Sequence, residues 1–373
     1  MGQPHHPDPG DYPVTLMSDV RESLAAIEAL PLPRTVRILN LCGDQERIIS
    51  VSEMRRALPR QVELVSGPGC AASICPEADI HQAICLSERQ PVTVLVADNL
   101  LRLPLSRGNG ARRSLSDAQR LGADVRVASA PIHAVMMARA EPDREMVYFV
   151  AGFETLLAPL AGMVLEGLPD NLSILLCGRR VEPLVEQELH DETGDIDALL
   201  LPGNRCAVTG TRQWEKLSAD FRRPAVVAGY TSPNILSAIH MVLQQHCNGE
   251  VRVDNLYRGL VRPEGNALAR DQLDRVFELV AGDWRGLGAV QGTAFRMRRT
   301  YDVFNADRRF PDYRSELLPD AGGMPDGCEC AAVALGRKPP LACPLFLVRC
   351  TPQQPYGPCM ASDDGACYLQ RTA

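Results

Sequence analysis

Eight short, almost continuously apolar runs recur between residues 36 and 230, each closed by a turn and followed by a stretch of helical periodicity. They are VRILNLCG (from Val36), QVELVSGPGC (from Gln61), VTVLVAD (from Val92), DVRVASA (from Asp124), MVYFVAGFE (from Met146), LSILLCG (from Leu172), DALLLPG (from Asp197) and PAVVAGY (from Pro224). Runs this short and this apolar read as strands buried on both faces. Their alternation with helical patterns such as SEMRRALPR, VEPLVEQELH and NILSAIHMVLQQ predicts an α/β chain with parallel sheets. The runs fall into two sets, so two doubly wound domains are expected, at residues 36–147 and 148–250. An N-terminal segment, 1–35, is expected to pack on a C-terminal domain at 251–373. In such folds ligands sit outside the carboxyl ends of the strands, and Cys42, Cys70, Asp98, Glu154 and Asn204 all fall at such ends.

The character changes after about residue 250, where a helical pattern (DQLDRVFELVAG) gives way to loops rich in Pro and Gly. From Cys328 onward the chain carries six of its 13 cysteines, spaced C-x-C-x12-C-x6-C-x8-C-x7-C. A loop-rich tail cannot build a core of its own, so something must cross-link it. Soft thiolates at this density select zinc or an iron–sulfur cluster. A [4Fe-4S] cluster needs four thiolates and leaves two over, whereas structural zinc favours paired C-x2-4-C knuckles, which are absent. Cys85, Cys177, Cys206 and Cys247 lie in strand or helix patterns and read as core packing. Cys42 and Cys70 adjoin Gly at strand ends, and a helix N-terminus there would lend each thiolate character.

Composition narrows the function classes. Lys+Arg 39 against Asp+Glu 46 leaves a net charge of −7, unlike the basic stripe of a nucleic-acid binder. Aromatic residues at 5% are too sparse for base-stacking platforms. No run of about 18 apolar residues offers a membrane span, and MGQPHHPDPGDYP is too polar for a signal sequence. Cytoplasmic residence is expected, with thiols kept reduced. Arg102, Arg107, Arg112 and Arg113 form one basic loop cluster, and Arg296, Arg298 and Arg299 another; both read as solvated loops. His5 and His6 read as part of a loose tail.

Taken together, the motifs resemble the HypD family of [NiFe]-hydrogenase maturation proteins from about residue 36 to the end. The most specific stretch is Cys343-Pro344-Leu345-Phe346, Cys350-Thr351-Pro352, Gly357-Pro358-Cys359-Met360 and Gly365-Ala366-Cys367. Asn255 with Tyr257, Gly265-Asn266, Trp284-Arg285-Gly286-Leu287-Gly288 and Gly152-Phe153-Glu154-Thr155 also match. The resemblance implies two Rossmann-like domains and a third, loop- and helix-rich domain holding a [4Fe-4S] cluster. By position it makes Cys328, Cys343, Cys350 and Cys367 the cluster ligands and Cys330 with Cys359 an additional thiol pair. It implies a metal-assembly scaffold more than a turnover enzyme. A HypC-like small chaperone and a HypE-like cyanide donor would be its partners, and a transient Fe(CN)2CO iron its cargo. Cys42 is then the iron ligand, with Cys70, Glu46, Asp98, Arg102 and Glu154 as the retained cleft groups.

Departures from the family pattern concentrate in the cleft. The family's C-G-T-H-E is Cys42-Gly43-Asp44-Gln45-Glu46, with Gln45 at the His position. The family's G-P-G-C-P-V-C is Gly67-Pro68-Gly69-Cys70-Ala71-Ala72-Ser73, with Ser73 in place of the second thiol. Cys75 lies about 140° round a helix from Cys70, a poor geometric substitute. Pro202-Gly203-Asn204 and Gly229-Tyr230-Thr231-Ser232-Pro233-Asn234 have lost a His and two acids relative to the family. Three readings stand: an iron-assembly scaffold, a thiol-redox iron–sulfur protein, and a divergent homologue with a structural cluster and a repurposed cleft.

Overall fold

The computed structural model describes residues 19–106, 113–191, 195–315 and 323–372. His5, His6, Arg107 and Arg112 lie outside these residues. Eleven strands are described: β1 (Val36–Asn40), β2 (Val62–Ser66), β3 (Thr93–Val96), β4 (Val125–Val127), β5 (Met146–Gly152), β6 (Leu172–Arg179), β7 (Ala198–Pro202), β8 (Ala225–Ala228), β9 (Val253–Asn255), β10 (Phe277–Trp284) and β11 (Gly288–Met297). They form two sheets. One has five strands in the order β2-β1-β7-β8-β9, all parallel. The other has six in the order β10-β11-β6-β5-β3-β4. Its β6-β5-β3-β4 portion is parallel, and the β10–β11 hairpin joins it antiparallel.

The α/β class and the eight apolar runs hold, each run forming one strand. The division between domains differs from the expectation. β1 and β2 pair with β7, β8 and β9, while β3 to β6 together form the second sheet. A boundary at 147/148 would cut β5, whose seven residues are all buried. The chain therefore builds half of the first sheet, the parallel part of the second, and then returns to finish the first. An apolar run reports burial on both faces, which is the same in either sheet, so strand membership is not written in it.

Two further expectations change. The helix Val20–Glu28, within the described part of the N-terminal segment, packs on the helix Ser232–Asn248 of the first sheet. Its Ile27 joins Val36, Ile38, Ile239 and Leu243 in one apolar cluster. The pattern DQLDRVFELVAG is helical only to Val276, and Phe277 begins β10. Its Phe277 packs beside Leu273 and Val276 on the second sheet's core, and its buried Trp284 donates to Thr293 Oγ1 at 2.8 Å across the hairpin. Tertiary burial overrides the local helical period there.

In the parallel part of each sheet the chain switches direction once. Sheet one reverses between β1 and β7, and sheet two between β3 and β5. Such switch points leave a crevice at the strand carboxyl ends, because the helices on the two sides depart in opposite directions. The two crevices of this protein open onto one shared cavity.

Candidate metal centre

That cavity encloses about 180 Å³. From the first switch point come Cys42, Gly43 and Asp44 after β1, and Asn204 and Arg205 after β7. From the second come Asn99 after β3, and Phe153 and Thr155 after β5. Gly69 and Cys70, from the loop after β2, and Asp364 from the C-terminal tail complete the lining.

The two cleft cysteines are held by backbone packing. Cys42 is the N-cap of the helix Gly43–Val51, and Cys70 that of the short helix Ala71–Ile74. The Gly43 N–H donates to the Gly69 carbonyl at 3.3 Å. A Cβ on Gly69 would sit 2.6–2.7 Å from the Cys42 backbone, so only glycine lets the two loops touch. The Cys42 thiol faces Tyr230 Oη at 3.9 Å, and the Cys70 thiol faces Ser362 Oγ at 3.5 Å. Tyr230 Oη in turn accepts the Asn204 N–H at 2.8 Å, which ties the ends of β7 and β8 to the thiol. Burial pushes both thiols up to about 11, against the helix-terminus effect expected from the sequence. Both are therefore protonated at neutral pH, and a bound cation would have to displace a proton to gain the thiolate.

Glu46 is fully buried but serves as a tie more than as a cleft group. It accepts from Arg55 at 2.8 Å, Asn40 at 3.2 Å and Gln370 at 3.0 Å. Burial alone would raise its carboxyl, but Arg55, Gln370 and Asn40 outweigh it and hold the group below its usual range. Glu154 begins the helix after β5 and lies 3.7 Å from the Arg205 guanidinium, both buried. Burial, reinforced by nearby Glu182, pushes its carboxyl up to about 8. Arg205 stacks on the Phe153 ring at 4.2 Å and reaches the cavity that Cys42 lines.

Asp98 and Arg102 are not brought to the cleft. Asp98 is exposed, and its neighbour Asn99 lines the cavity instead, donating to Asp364 at 3.3 Å. Arg102 donates to the Pro352 carbonyl in the tail and lines a separate cavity of about 370 Å³ with Arg113, Asp117 and Gln354. Of the basic residues expected in loops, Arg113 pairs with Glu88, whereas Arg296 lies in β11 and pairs with Glu278 across the hairpin. Arg205, Tyr230, Asn99 and Asp364 were missed as cleft residues. The rule that ligands gather at strand ends could have found the first three, each just beyond β7, β8 or β3; nothing local marks Asp364.

The altered positions have distinct structural roles. Gln45 is buried, and its side-chain N–H₂ donates to the carbonyls of Leu201, Ala228 and Gly229 at 2.9–3.3 Å. It struts the helix after β1 against the ends of β7 and β8 and does not line the cavity. Ser73 sits between Cys70 and Cys359, its hydroxyl beside both sulfurs. A narrow space lined by Cys42, Cys70, Ser73 and Cys359 connects the cleft to the cysteine-rich tail.

All six tail cysteines enter one apolar cluster with Val333, Leu345, Phe346 and Met360. The sulfurs of Cys330, Cys359 and Cys367 lie within 4.8 Å of one another. Of the four expected ligands only Cys367 belongs to this tightest group, while both members of the expected thiol pair do. Cys350 lies near Cys328 and Cys343, and its thiol is pushed up by burial and by those neighbours. Gly357 packs against Cys328 and Cys330, and a Cβ there would collide with both sulfurs. Two amides point at sulfur: Tyr356 N–H at Cys350 Sγ (3.2 Å) and Cys367 N–H at Cys359 Sγ (3.0 Å). Converging thiols, a glycine-only cradle and amide donors to sulfur form a donor set that fits an iron–sulfur cluster.

The chain is similar to known proteins of one family. The HypD family model (hydrogenase formation hypA family) matches residues 17–372. The hydrogenase maturation factor HypD of Rhizobium leguminosarum bv. viciae is 35% identical over 366 residues, covering 95% of this chain and 91% of that protein. HypD of Cupriavidus necator is 34% identical over 350 residues, covering 91% and 90%. HypD of Escherichia coli K12 is 31% identical over 340 residues, covering 90% and 88%. With a match that begins before the first strand and runs through the last tail cysteine, the chain belongs to the HypD family.

Proposed function

We propose that this protein acts in hydrogenase maturation as a scaffold on which an iron ion acquires its Fe(CN)2CO ligands, with Cys42 as the protein thiolate that holds it. The observation that carries this reading is the placement of Cys42 and Cys70 side by side in a cavity shared by two switch points. Thiolate is a soft ligand suited to low-spin iron. Asp44 and Asp364 line the same cavity, with Asp364 paired to Arg47 and with Arg205 bringing the opposite charge. Iron binding at Cys42 would displace the thiol proton to solvent and leave the thiolate as the ligand.

Cys328, Cys343, Cys350 and Cys367 would hold a [4Fe-4S] cluster, which supplies electrons to the cleft when bound, with Cys330 and Cys359 as the additional thiols. Cys359 lies on the narrow space that leads to Cys42 and Cys70, so this chain's own sulfurs span the interval between tail and cleft. A HypC-like chaperone and a HypE-like cyanide donor would reach the cleft from the open side lined by Asp44 and Asn204. Among the described residues no helix is long and apolar enough to cross a membrane.

A second reading rests on Gln45 and Ser73. Gln45 offers three carbonyls an amide donor but offers the cleft no imidazole, and Ser73 cannot form a disulfide with Cys70. In that reading the cluster is structural and the cleft takes a different ligand. The test is infrared spectroscopy on protein purified anaerobically with its maturation partners, beside Cys42→Ala. Cyanide and carbonyl stretching bands that vanish in Cys42→Ala support the scaffold. Their absence from the unaltered protein, with iron and sulfide retained, overturns it in favour of the second reading.

A further inference from the structure

We propose that Cys75, Asp79 and Cys177 form a second, separate metal site that takes a soft divalent ion of the zinc type. The site lies behind the cleft, where the chain leaves the short helix Ala71–Ile74 and enters the helix Glu77–Arg89. Cys75 closes the first helix, Asp79 lies in the first turn of the second, and Cys177 is near the end of β6. Their three ligand atoms lie within 4.8 Å of one another.

The spacing fits a metal better than a bond between the sulfurs. Cys75 Sγ and Cys177 Sγ are 3.5 Å apart. Two sulfurs on a tetrahedral zinc, with Zn–S bonds of ~2.3 Å, stand about 3.8 Å apart. A disulfide would require about 2.05 Å. Charge is also matched. Arg179, itself buried, lies 3.9 Å from Asp79. A divalent ion, two thiolates, the Asp79 carboxylate and the Arg179 guanidinium together cancel, and nearby Asp283 and Asp307 add negative charge that favours a cation. Both thiols are buried in an otherwise apolar cluster. The Asp79 side chain is 20% exposed and gives an ion its way in. That side also leaves the fourth tetrahedral position to water, as in zinc sites with three protein ligands.

The ion would fasten the segment that carries Cys70 to the second sheet. Binding exchanges waters of the hydrated ion for two thiolate sulfurs and one carboxylate oxygen and releases two thiol protons to solvent, with no change of oxidation state. The site belongs to neither the cleft nor the tail cluster, and its test does not depend on hydrogenase maturation.

Full-length protein is loaded with zinc and dialysed against a weak chelator, and zinc, iron and sulfide are counted per chain. Cys177→Ala, in which a small apolar residue replaces a buried thiol, is expected to hold about one zinc fewer than the unaltered protein, with iron and sulfide unchanged. Asp79→Asn, which keeps the side-chain shape, is expected to weaken retention by at least ~10–100-fold in chelator competition. Cobalt loading is expected to give the visible bands of tetrahedral thiolate coordination in the unaltered protein, and to lose the Cys177-dependent share in the variant. Circular dichroism of both variants checks that they fold. Equal zinc content in the unaltered protein and in folded Cys177→Ala overturns the proposal. So does a Cys75–Cys177 disulfide found by peptide mapping of anaerobically purified protein.

Discussion

Gln370, in the last turn of the described chain, donates a hydrogen bond of 3.0 Å to Glu46 Oε1 on the helix that follows the first strand. The same amide reaches Ser66 Oγ, at the end of β2, at 3.1 Å. The tail thus closes over the two strands that carry Cys42 and Cys70. Arg47 repeats the connection one residue on, meeting Asp364 at 2.6 Å. Cluster and cleft are neighbours because the tail is latched to the first sheet, not because they are close in sequence.

Glu46→Ala is expected to lower stability by about 2–4 kcal/mol, because Arg55, Asn40 and Gln370 all lose their buried acceptor. Gln370→Ala removes only one partner and is expected to cost about 1 kcal/mol. Urea unfolding checks both. Limited proteolysis is expected to cut the tail first in Glu46→Ala.

The same latch sets an acid limit. The Glu46 carboxyl lies below its ordinary value of 4.5 in the folded protein, because Arg55, Gln370 and Asn40 outweigh burial. A depressed carboxyl contributes stability that is fully present above the unfolded value and is lost as pH falls through the folded one. Thermal melts below pH 4.5 are therefore expected to fall more steeply for the unaltered protein than for Glu46→Gln.

Glu154 carries the opposite sign. Burial and Glu182 raise its carboxyl from 4.5 to about 8. Between these values the folded state holds a proton that the unfolded state has released, so stability declines as pH rises. The stability of Glu154→Gln relative to the unaltered protein is expected to grow from pH 4.5 to about 8 and then level off. Melting temperatures across that range read the trend directly.

Gly69→Ala would place a Cβ 2.6–2.7 Å from the Cys42 backbone. Contact with backbone cannot be relieved by a side-chain rotation, so the loops bearing Cys42 and Cys70 must part. The expected cost is about 1–3 kcal/mol of stability. On the proposed function, iron held by Cys42 is expected to fall with it, while any iron and sulfide bound by the tail stay constant. Elemental analysis with infrared spectroscopy separates the two pools.

Read alone, the sequence determined the α/β class, the positions of the eight apolar strands, the cysteine-rich tail and the place of Cys42 and Cys70 at strand ends. Each of these is written locally, in a run of apolar residues, a Gly beside a Cys, or a dense set of thiols. Only the tertiary structure decided which sheet each strand joins, because burial on both faces looks the same in either. It also moved Asp98 and Arg102 out of the cleft and put Asn99, Arg205, Tyr230 and Asp364 into it. Those four come from four separate segments, and no local pattern records that they meet. Cys75 and Cys177 make the same point: each reads alone as a small core residue, and only the packing of a helix junction against β6 sets their sulfurs 3.5 Å apart beside a carboxylate.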